Sequence, residues 1–321
     1  MIRRVAFGAL LAMPALWSGH QSAPQTQRPI FRADVNAVLV DVVVTDGHSS
    51  VPNLTAADFD VLDNGVKQTV SDVDYGRLPI DVRIVFDTSG SVSDAQLAKH
   101  VRAMAEVGGV LKSGDRCEAW SFARRSHDVV PLSEPPIDAH LTRVGSDATS
   151  FFDAVSMAMI TAPRPGRRQL TIVLTDGFDN SSFFDQATLM REAQHTDAVV
   201  YTISPPLPSF APSPMVNLGA ILAGGGIVTV NGAGVSAGPT PSMPKVLDAV
   251  AKVTGGRLML LDAKGDIAAS FIKAIDEFRQ SYVLHYSPEG VAPEGWHALT
   301  VTVRGNKKYT VRAKQGYEGG R

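Results

Sequence analysis

The sequence predicts an α/β fold: a mostly parallel sheet with helices on both faces, joined to a small β-sandwich formed by N- and C-terminal strands. Three observations predict it. Between about residues 80 and 280, short apolar strands alternate with amphipathic helical stretches, the pattern of a parallel sheet covered on both sides. Ahead of that region Val38, Val40, Val42 and Val44 recur with a period of two, which puts them on one strand face. Beyond Gln280 the pattern returns to β. Isolated hairpins are marginal in water, so the strands of 31–76 and 281–317 are expected to pair or pack together as one sandwich.

The elements follow in order. Thr55-Ala56-Ala57-Asp58 reads as a brief capped turn, Phe59 and Val61 share a strand face, and Asp63-Asn64-Gly65 is a hairpin signal. Within 79–280, the apolar strand Val82 to Phe86 ends at Asp87. A helix then carries Leu97, Val101, Met104 and Leu111, and Gly114 ends it. Next come a strand over Cys117 to Phe122, an edge strand over Asp128 to Leu132 and a helix from about Ser150 to Ile160. The buried strand Leu170 to Leu174, a helix over Gln186 to Gln194 and the strand Ala198 to Ile203 complete the central run. Residues 205–244 are rich in Gly, Pro, Ser and Ala and read as a long loop or insertion, with a short strand at 227–230 inside it. A helix around Val246 to Val253, a strand over Arg257 to Leu261 and a helix with Ile267, Phe271, Ala274 and Phe278 on one stripe end the α/β part. After the strand Tyr282 to Tyr286, Leu299, Val301 and Val303 are expected to face Tyr309 and Val311 across a Gly305-Asn306 turn.

The chain has 321 residues and a formal net charge of -2, with no long basic run. Nucleic acid is thereby disfavoured, because phosphate contacts need clustered Lys and Arg. Arg3 and Arg4 precede an apolar run from Val5 to Trp17 and then a polar, small-residue stretch. That order is a secretory signal over 1–23, ending at Gly19 or Ala23, with a linker over 24–30. The run is shorter than the roughly 20 residues that span a bilayer. The expectation is export to the periplasm or beyond, with no stable membrane insertion once the signal is removed; an uncleaved anchor is the alternative. Cys117 has no partner for an intrachain disulfide and reads as a buried small hydrophobe.

The chemistry gathers at strand ends. Asp87, Ser89 and Ser91 stand two residues apart in the loop after the first α/β strand, so their oxygens can converge on one point. The strand Leu170 to Leu174 is equally apolar and runs into Thr175-Asp176-Gly177; neighbouring parallel strands lie about 5 Å apart, which lets Asp176 approach the same ion as Asp87. The Asp147-Ala148-Thr149 loop opens another helix and supplies a further hydroxyl from Thr149. Hydroxyls and carboxylates without His or Cys suit a hard divalent cation: Mg²⁺ first, with Mn²⁺ or Ca²⁺ also compatible. Neutral Ser and Thr ligands leave the ion enough charge to attract an acidic side chain of a partner.

Ile84-Val85-Phe86-Asp87-Thr88-Ser89-Gly90-Ser91 resembles the Asp-x-Ser-x-Ser motif of von Willebrand factor type A domains. Thr149-Ser150-Phe151-Phe152-Asp153-Ala154 is similar to the second loop of that family, and Thr175-Asp176-Gly177-Phe178-Asp179 to its third. The second loop departs in one respect, with Ala148 where the family usually has Gly. The resemblance covers about 80–280 and implies a Rossmann-like fold with a metal-ion-dependent adhesion site. It further implies that Ser89, Ser91 and sometimes Thr149 bind the metal directly, while Asp87 and Asp176 often act through water. Val40 to Gly47 and Tyr282 to Pro288 resemble flanks of an exported, acidobacterial-type subfamily.

The function expected is an exported, metal-dependent protein-binding or adhesion module, not an enzyme, whose partner is an unidentified protein presenting an acidic residue. The alternative is a structural or assembly component whose β-sandwich makes the contacts. A metal-dependent hydrolase or a phosphotransferase ranks lower; aspartyl-phosphate chemistry at Asp87 wants a second acid two residues on, where this chain has Ser89. Gly234-Val235-Ser236-Ala237-Gly238 matches a nucleophile elbow in letters but lacks the buried strand before it and the helix after it. Asp153 reads as a first-turn helix charge and Asp179 as a loop cap.

Overall fold

The computed structural model describes residues 37–90, 92–141, 148–160, 164–175, 179–205, 243–261, 265–305 and 308–320. The segments expected to be a signal (1–23) and a linker (24–30), nearly all of the 205–244 insertion and the Gly234–Gly238 motif lie outside the described residues, as do Ser91 and Asp176.

A six-stranded sheet forms the centre, built from β6 (Ile80–Asp87), β7 (Arg116–Phe122), β8 (Ser126–Ser133), β9 (Arg168–Leu174), β10 (Val199–Ser204) and β11 (Leu258–Leu260) in the order β11-β10-β9-β6-β7-β8. All its pairs are parallel except β7 with β8, which is the antiparallel edge. β6 is buried along its whole length because both its faces are covered. Ile80, Val82, Ile84 and Phe86 pack with α1 (Asp94–Val110) and α5 (Ile267–Arg279); Val85 packs on the other side with α2 (Phe151–Met159), α3 (Gln186–His195) and α4 (Met243–Val253). Continuous rather than alternating burial is why β6 and β9 read as apolar runs. The helices match their expected positions to within a few residues. In α1, however, the buried stripe is Leu97, His100, Ala103, Met104 and Val107, and Leu111 is the residue that caps it.

The terminal strands form two antiparallel sheets. One has the order β14-β1-β12-β5 (Thr310–Ala313, Val38–Asp46, Tyr282–Tyr286, Asp72–Tyr75), with β2 (Ser49–Ser50) also on β1. The other runs β15-β13-β3-β4 (Gly316–Gly319, Gly295–Val303, Phe59–Asp63, Val66–Gln68). Each interleaves N-terminal with C-terminal strands, and Val40, Val42, Val44, Phe59, Val61, Tyr282, Leu284 and Tyr286 fill the space between them. One expectation is corrected here. β13 and β14 are not partners across the Gly305-Asn306 turn: β14 pairs with β1 (Val44 opposite Val311) and β13 with β3 (Val301 opposite Val61). Their apolar residues meet across the sandwich core instead, because β13 and β14 belong to the two facing sheets.

Asp63-Asn64-Gly65 makes the expected hairpin, with φ of 47° at Asn64 and 79° at Gly65. The Asp63 side chain is wholly buried: its carboxylate accepts from Tyr286 OH (3.0 Å) and Tyr317 OH (2.8 Å) and lies 2.8 Å from His297 Nδ1. Arg168, at the start of β9, ties the two parts of the fold together. Its Nε donates to Asp41 of β1 (2.7 Å), its Nη2 to Ser281 (2.5 Å), and its guanidinium lies 4.0 Å from the Phe278 ring.

Gly256, between α4 and β11, is required by close approach: an added Cβ would lie 1.9 Å from the Val200 carbonyl oxygen. The tight turn brings the Gly256 N–H to Ala251 O (2.9 Å) and lets β11 register beside β10. Gly256→Ala is expected to push β10 and β11 apart and cost about 1–3 kcal/mol or more in urea unfolding. A change below about 0.5 kcal/mol would mean this turn relaxes freely.

Candidate functional site

The chain runs from β6 through α1 to β7 and β8 on one side of the sheet, then returns through α2 to β9 on the other side of β6. The strand order therefore reverses between β6 and β9. In open α/β sheets the crevice beyond the strand carboxyl ends at such a point is where ligands bind. Asp87 ends β6 there, and Thr175 follows β9.

The Asp87 carboxylate is buried and held from two sides. Ser89 N–H donates to its Oδ1 (2.9 Å), and Thr175 Oγ1 donates to its Oδ2 (3.3 Å). Thr88 turns away from the crevice, because both its N–H (2.8 Å) and its hydroxyl (3.0 Å) bond to Phe122 O at the end of β7. That anchor lets Asp87 and Ser89 share one side of the loop. The N–H of Val92 closes the turn onto Ser89 O (2.9 Å), and α1 starts immediately afterwards with a reciprocal cap between Ser93 and Gln96.

The second loop docks on the next residue of the same strand end, Ser150 N–H donating to Ala123 O at 2.7 Å. Thr149 is buried. Its N–H donates to Asn180 Oδ1 (2.7 Å), and its carbonyl accepts from the N–H groups of Asn180 (3.0 Å) and Ser181 (3.2 Å). Its hydroxyl has no hydrogen-bond partner among the described residues, which leaves that oxygen for a ligand. Ser150 precedes α2 without capping it; its hydroxyl goes to Arg124 O (3.1 Å) and Ser181 Oγ (2.9 Å). The cap comes from the third loop, where Asp179 Oδ2 accepts from Phe152 N–H (2.9 Å) and from Ser182 Oγ (2.5 Å). Asp153 does stand in the first turn of α2, and its two oxygens accept the N–H groups of Phe183 (3.0 Å) and Phe184 (2.8 Å).

Of the five candidate ligands, Asp87 and Ser89 are thus adjacent, Thr149 is in the loop anchored on the same β7 end, and Ser91 and Asp176 lie outside the described residues. The described donors are a carboxylate and two hydroxyls, a hard-oxygen set that fits Mg²⁺ chemistry. Among the described residues no cluster of three or more His, Cys, Asp or Glu could hold a metal. Thr175 and Asn180 were missed as site residues. Thr175 stood in the motif beside Asp176, yet its hydroxyl contact with Asp87 depends on the β6–β9 pairing, and Asn180 carried no motif signal at all. Cys117 is buried in β7, and burial pushes its thiol up to about 12, so it carries no thiolate for nucleophilic chemistry at neutral pH.

No protein-family model matches the chain, and no curated protein matches it. Solved structures do. An aerotolerance-related membrane protein from Bacteroides fragilis, with multiple mutations to serines, is 18% identical over 62% of this chain and 99% of that one, with a TM-score of 0.41. A von Willebrand factor type A protein from Catenulispora acidiphila is 13% identical over 81% and 72%, with a TM-score of 0.42. Proximal thread matrix protein 1 from the mussel byssus, with a zinc-occupied MIDAS motif, is 12% identical over 66% of this chain and 48% of that one, with a TM-score of 0.42. The chain spans about half the length of that mussel protein, and 38% of it in a second crystal form.

Proposed function

We propose that this chain is an exported, metal-dependent protein-binding module in which Asp87, Ser89, Ser91, Thr149 and Asp176 hold a Mg²⁺-type ion that an acidic side chain of a partner completes. The observation that carries the reading is the Asp87 carboxylate, fixed between Ser89 N–H and Thr175 Oγ1 at the point where strand order reverses. A buried carboxylate held in that crevice is oriented for an ion before the ion arrives, and the Thr149 loop is anchored just past the end of the neighbouring β7. The ion would supply a Lewis-acidic point that exchanges water for a partner carboxylate. Binding rather than catalysis is favoured because Ser89 stands where a phosphotransferase would place its second acid, and because the Cys117 thiol is held protonated. Export is supported by Arg3, Arg4 and the apolar run that follows them. Among the described residues no helix is long and apolar enough to cross a membrane.

Titration calorimetry with Mg²⁺ is expected to give one site of submillimolar affinity. At a hundredfold excess over Kd the ion should stabilise the fold by about 2.7 kcal/mol. Asp87→Ala is expected to remove both the heat and the stabilisation. Pull-down from an extracellular fraction with and without chelator then tests the partner arm. No binding of Mg²⁺ or Mn²⁺ tighter than millimolar would remove the site from this reading.

A further inference from the structure

A cavity of about 680 Å³ lies between the sandwich and the amino ends of β9 and β10. Arg168 opens β9 and Val199 opens β10; from the sandwich come Asp41 of β1, Val283 of β12, and His297 and Leu299 of β13. The volume is within the range of small-molecule sites, about 300–1,000 Å³, and such sites favour the junction of two packed units. It is remote from the candidate cation site. β9 runs from Arg168 to Leu174, about 20 Å at 3.3 Å per residue, so the cavity and the Asp87 crevice stand at opposite edges of the parallel sheet.

Five buried side-chain polar atoms among the described residues have no hydrogen-bond partner, and two of them, Arg168 Nη1 and His297 Nε2, belong to residues of this wall. Arg168 is 4% exposed and His297 1%. Neither side chain is free to turn elsewhere. Arg168 is held through Nε by Asp41, through Nη2 by Ser281 and on its face by the Phe278 ring, and His297 is held through Nδ1 by Asp63 and Tyr317. Native proteins pair such buried atoms with protein, water or ligand, so two orphans on one cavity wall point to a polar occupant. The same wall sets the sign of its charge. Arg164 and Arg167 also line the cavity, and among the described residues Asp81 is the one carboxylate that either of them reaches (3.2 and 2.5 Å). Arg116 bonds to Asp81 as well (2.7 Å) and feels Glu118 and Glu134 besides. Two guanidiniums against one carboxylate leave a positive charge on the α/β side, beside the orphaned Arg168 nitrogen. Asp41 is matched by Arg168 and Asp197 by Lys314, while Glu294 and Glu318 stand on the sandwich side.

We propose that this cavity binds a small organic acid, its carboxylate on the wall of Arg164, Arg167 and Arg168 and its apolar body against Val199, Val283 and Leu299. One surplus charge fits a monoanion, and the planar guanidinium fork matches a carboxylate. The apolar side chains opposite favour a ligand with a hydrocarbon body over a bare inorganic anion. His297 offers its Nε2 to a second polar group on the ligand. The site is independent of the cation reading and stands or falls without it.

Titration calorimetry of the full chain with octanoate, octanol and octylammonium tests this, because the apolar body stays constant while the head changes; 3-phenylpropionate covers an aromatic body. At least one of the two acids is expected to bind a single saturable site tighter than about 1 mM, with octanol and octylammonium at least tenfold weaker. Arg164→Ala leaves Asp81 its bonds to Arg116 and Arg167. It is expected to weaken the acid at least tenfold, the loss of one charge-assisted hydrogen bond. Ala292→Trp, at an exposed loop residue of the cavity wall, is expected to block the space and abolish binding while the urea midpoint stays that of the parent. Octanol bound as tightly as octanoate, or octylammonium bound more tightly, would overturn the assignment of an acid. No binding of either acid, or binding that both variants retain, would overturn the site itself.

Discussion

Asp63→Ala is expected to destabilise the fold by about 3–5 kcal/mol, the cost of removing one partner from a buried, hydrogen-bonded charge. Asp63 lies in the sandwich core, where it serves three partners at once: Tyr286, Tyr317 and His297. Truncation would take the acceptor from the Tyr286 hydroxyl and leave the Tyr317 hydroxyl and His297 Nδ1, 3.0 Å apart, only each other, in a space closed by stacking of His297 on Tyr317 at 4.5 Å. Burial and the neighbouring Asp63 charge both drive the Tyr286 and Tyr317 hydroxyls well above the usual tyrosine range, so they stay protonated and keep donating. Asp63→Asn keeps the shape and one carbonyl acceptor but turns an N–H₂ group toward these donors, so it is expected to cost less than Ala and more than zero. Urea unfolding of the three proteins ranks them. If Asp63→Ala unfolds within about 0.5 kcal/mol of the parent, water replaces the carboxylate and the cluster is not a structural anchor.

The same residue shows how far the sequence can be read. Asp63-Asn64-Gly65 is legible as a hairpin because positive φ at Asn64 and Gly65 is a local property. That the Asp63 side chain binds residues more than two hundred positions away is not local, and no pattern in the sequence carries it. β6 and β9 were legible because burial on both faces leaves an apolar run, and the Asp87 and Ser89 positions followed from the strand end. The Gly305-Asn306 signal misled for the opposite reason. Turn chemistry reports a change of direction, not which strand receives the chain afterwards, and β14 crosses to β1 rather than returning along β13. At the site, Asp153 was legible as a first-turn acid, whereas its use as a clamp on Phe183 and Phe184 depends on where the third loop comes to rest.

His100 gives the fold a pH dependence of definite sign. It sits in the buried stripe of α1, stacked on Phe86 at 5.2 Å, and its Nδ1 is buried with no hydrogen-bond partner. Burial drives its pKa down from 6.5 to about 4, because the imidazolium would have to form in an apolar core. The unfolded chain therefore binds the proton more readily than the native one between those values, and stability rises with pH across that window. This contribution is whole above pH 6.5 and is lost as pH falls toward 4. By linkage the loss from His100 alone is about 2 kcal/mol between pH 8 and pH 5, and about 3 kcal/mol by pH 4. His100→Leu fills the same apolar space without a titrating group. It is expected to flatten the curve by that amount, so the difference in unfolding free energy between variant and parent should grow in the variant's favour as pH drops. A difference that stays constant from pH 8 to pH 4 would mean the imidazole titrates in the native state as it does in the unfolded chain. The position gives this a bearing on the site, because Phe86 immediately precedes Asp87. A charge forced into the core beneath the strand end would loosen the platform that carries Asp87, so, if the proposed site holds Mg²⁺, acid should weaken its binding in the parent more than in His100→Leu.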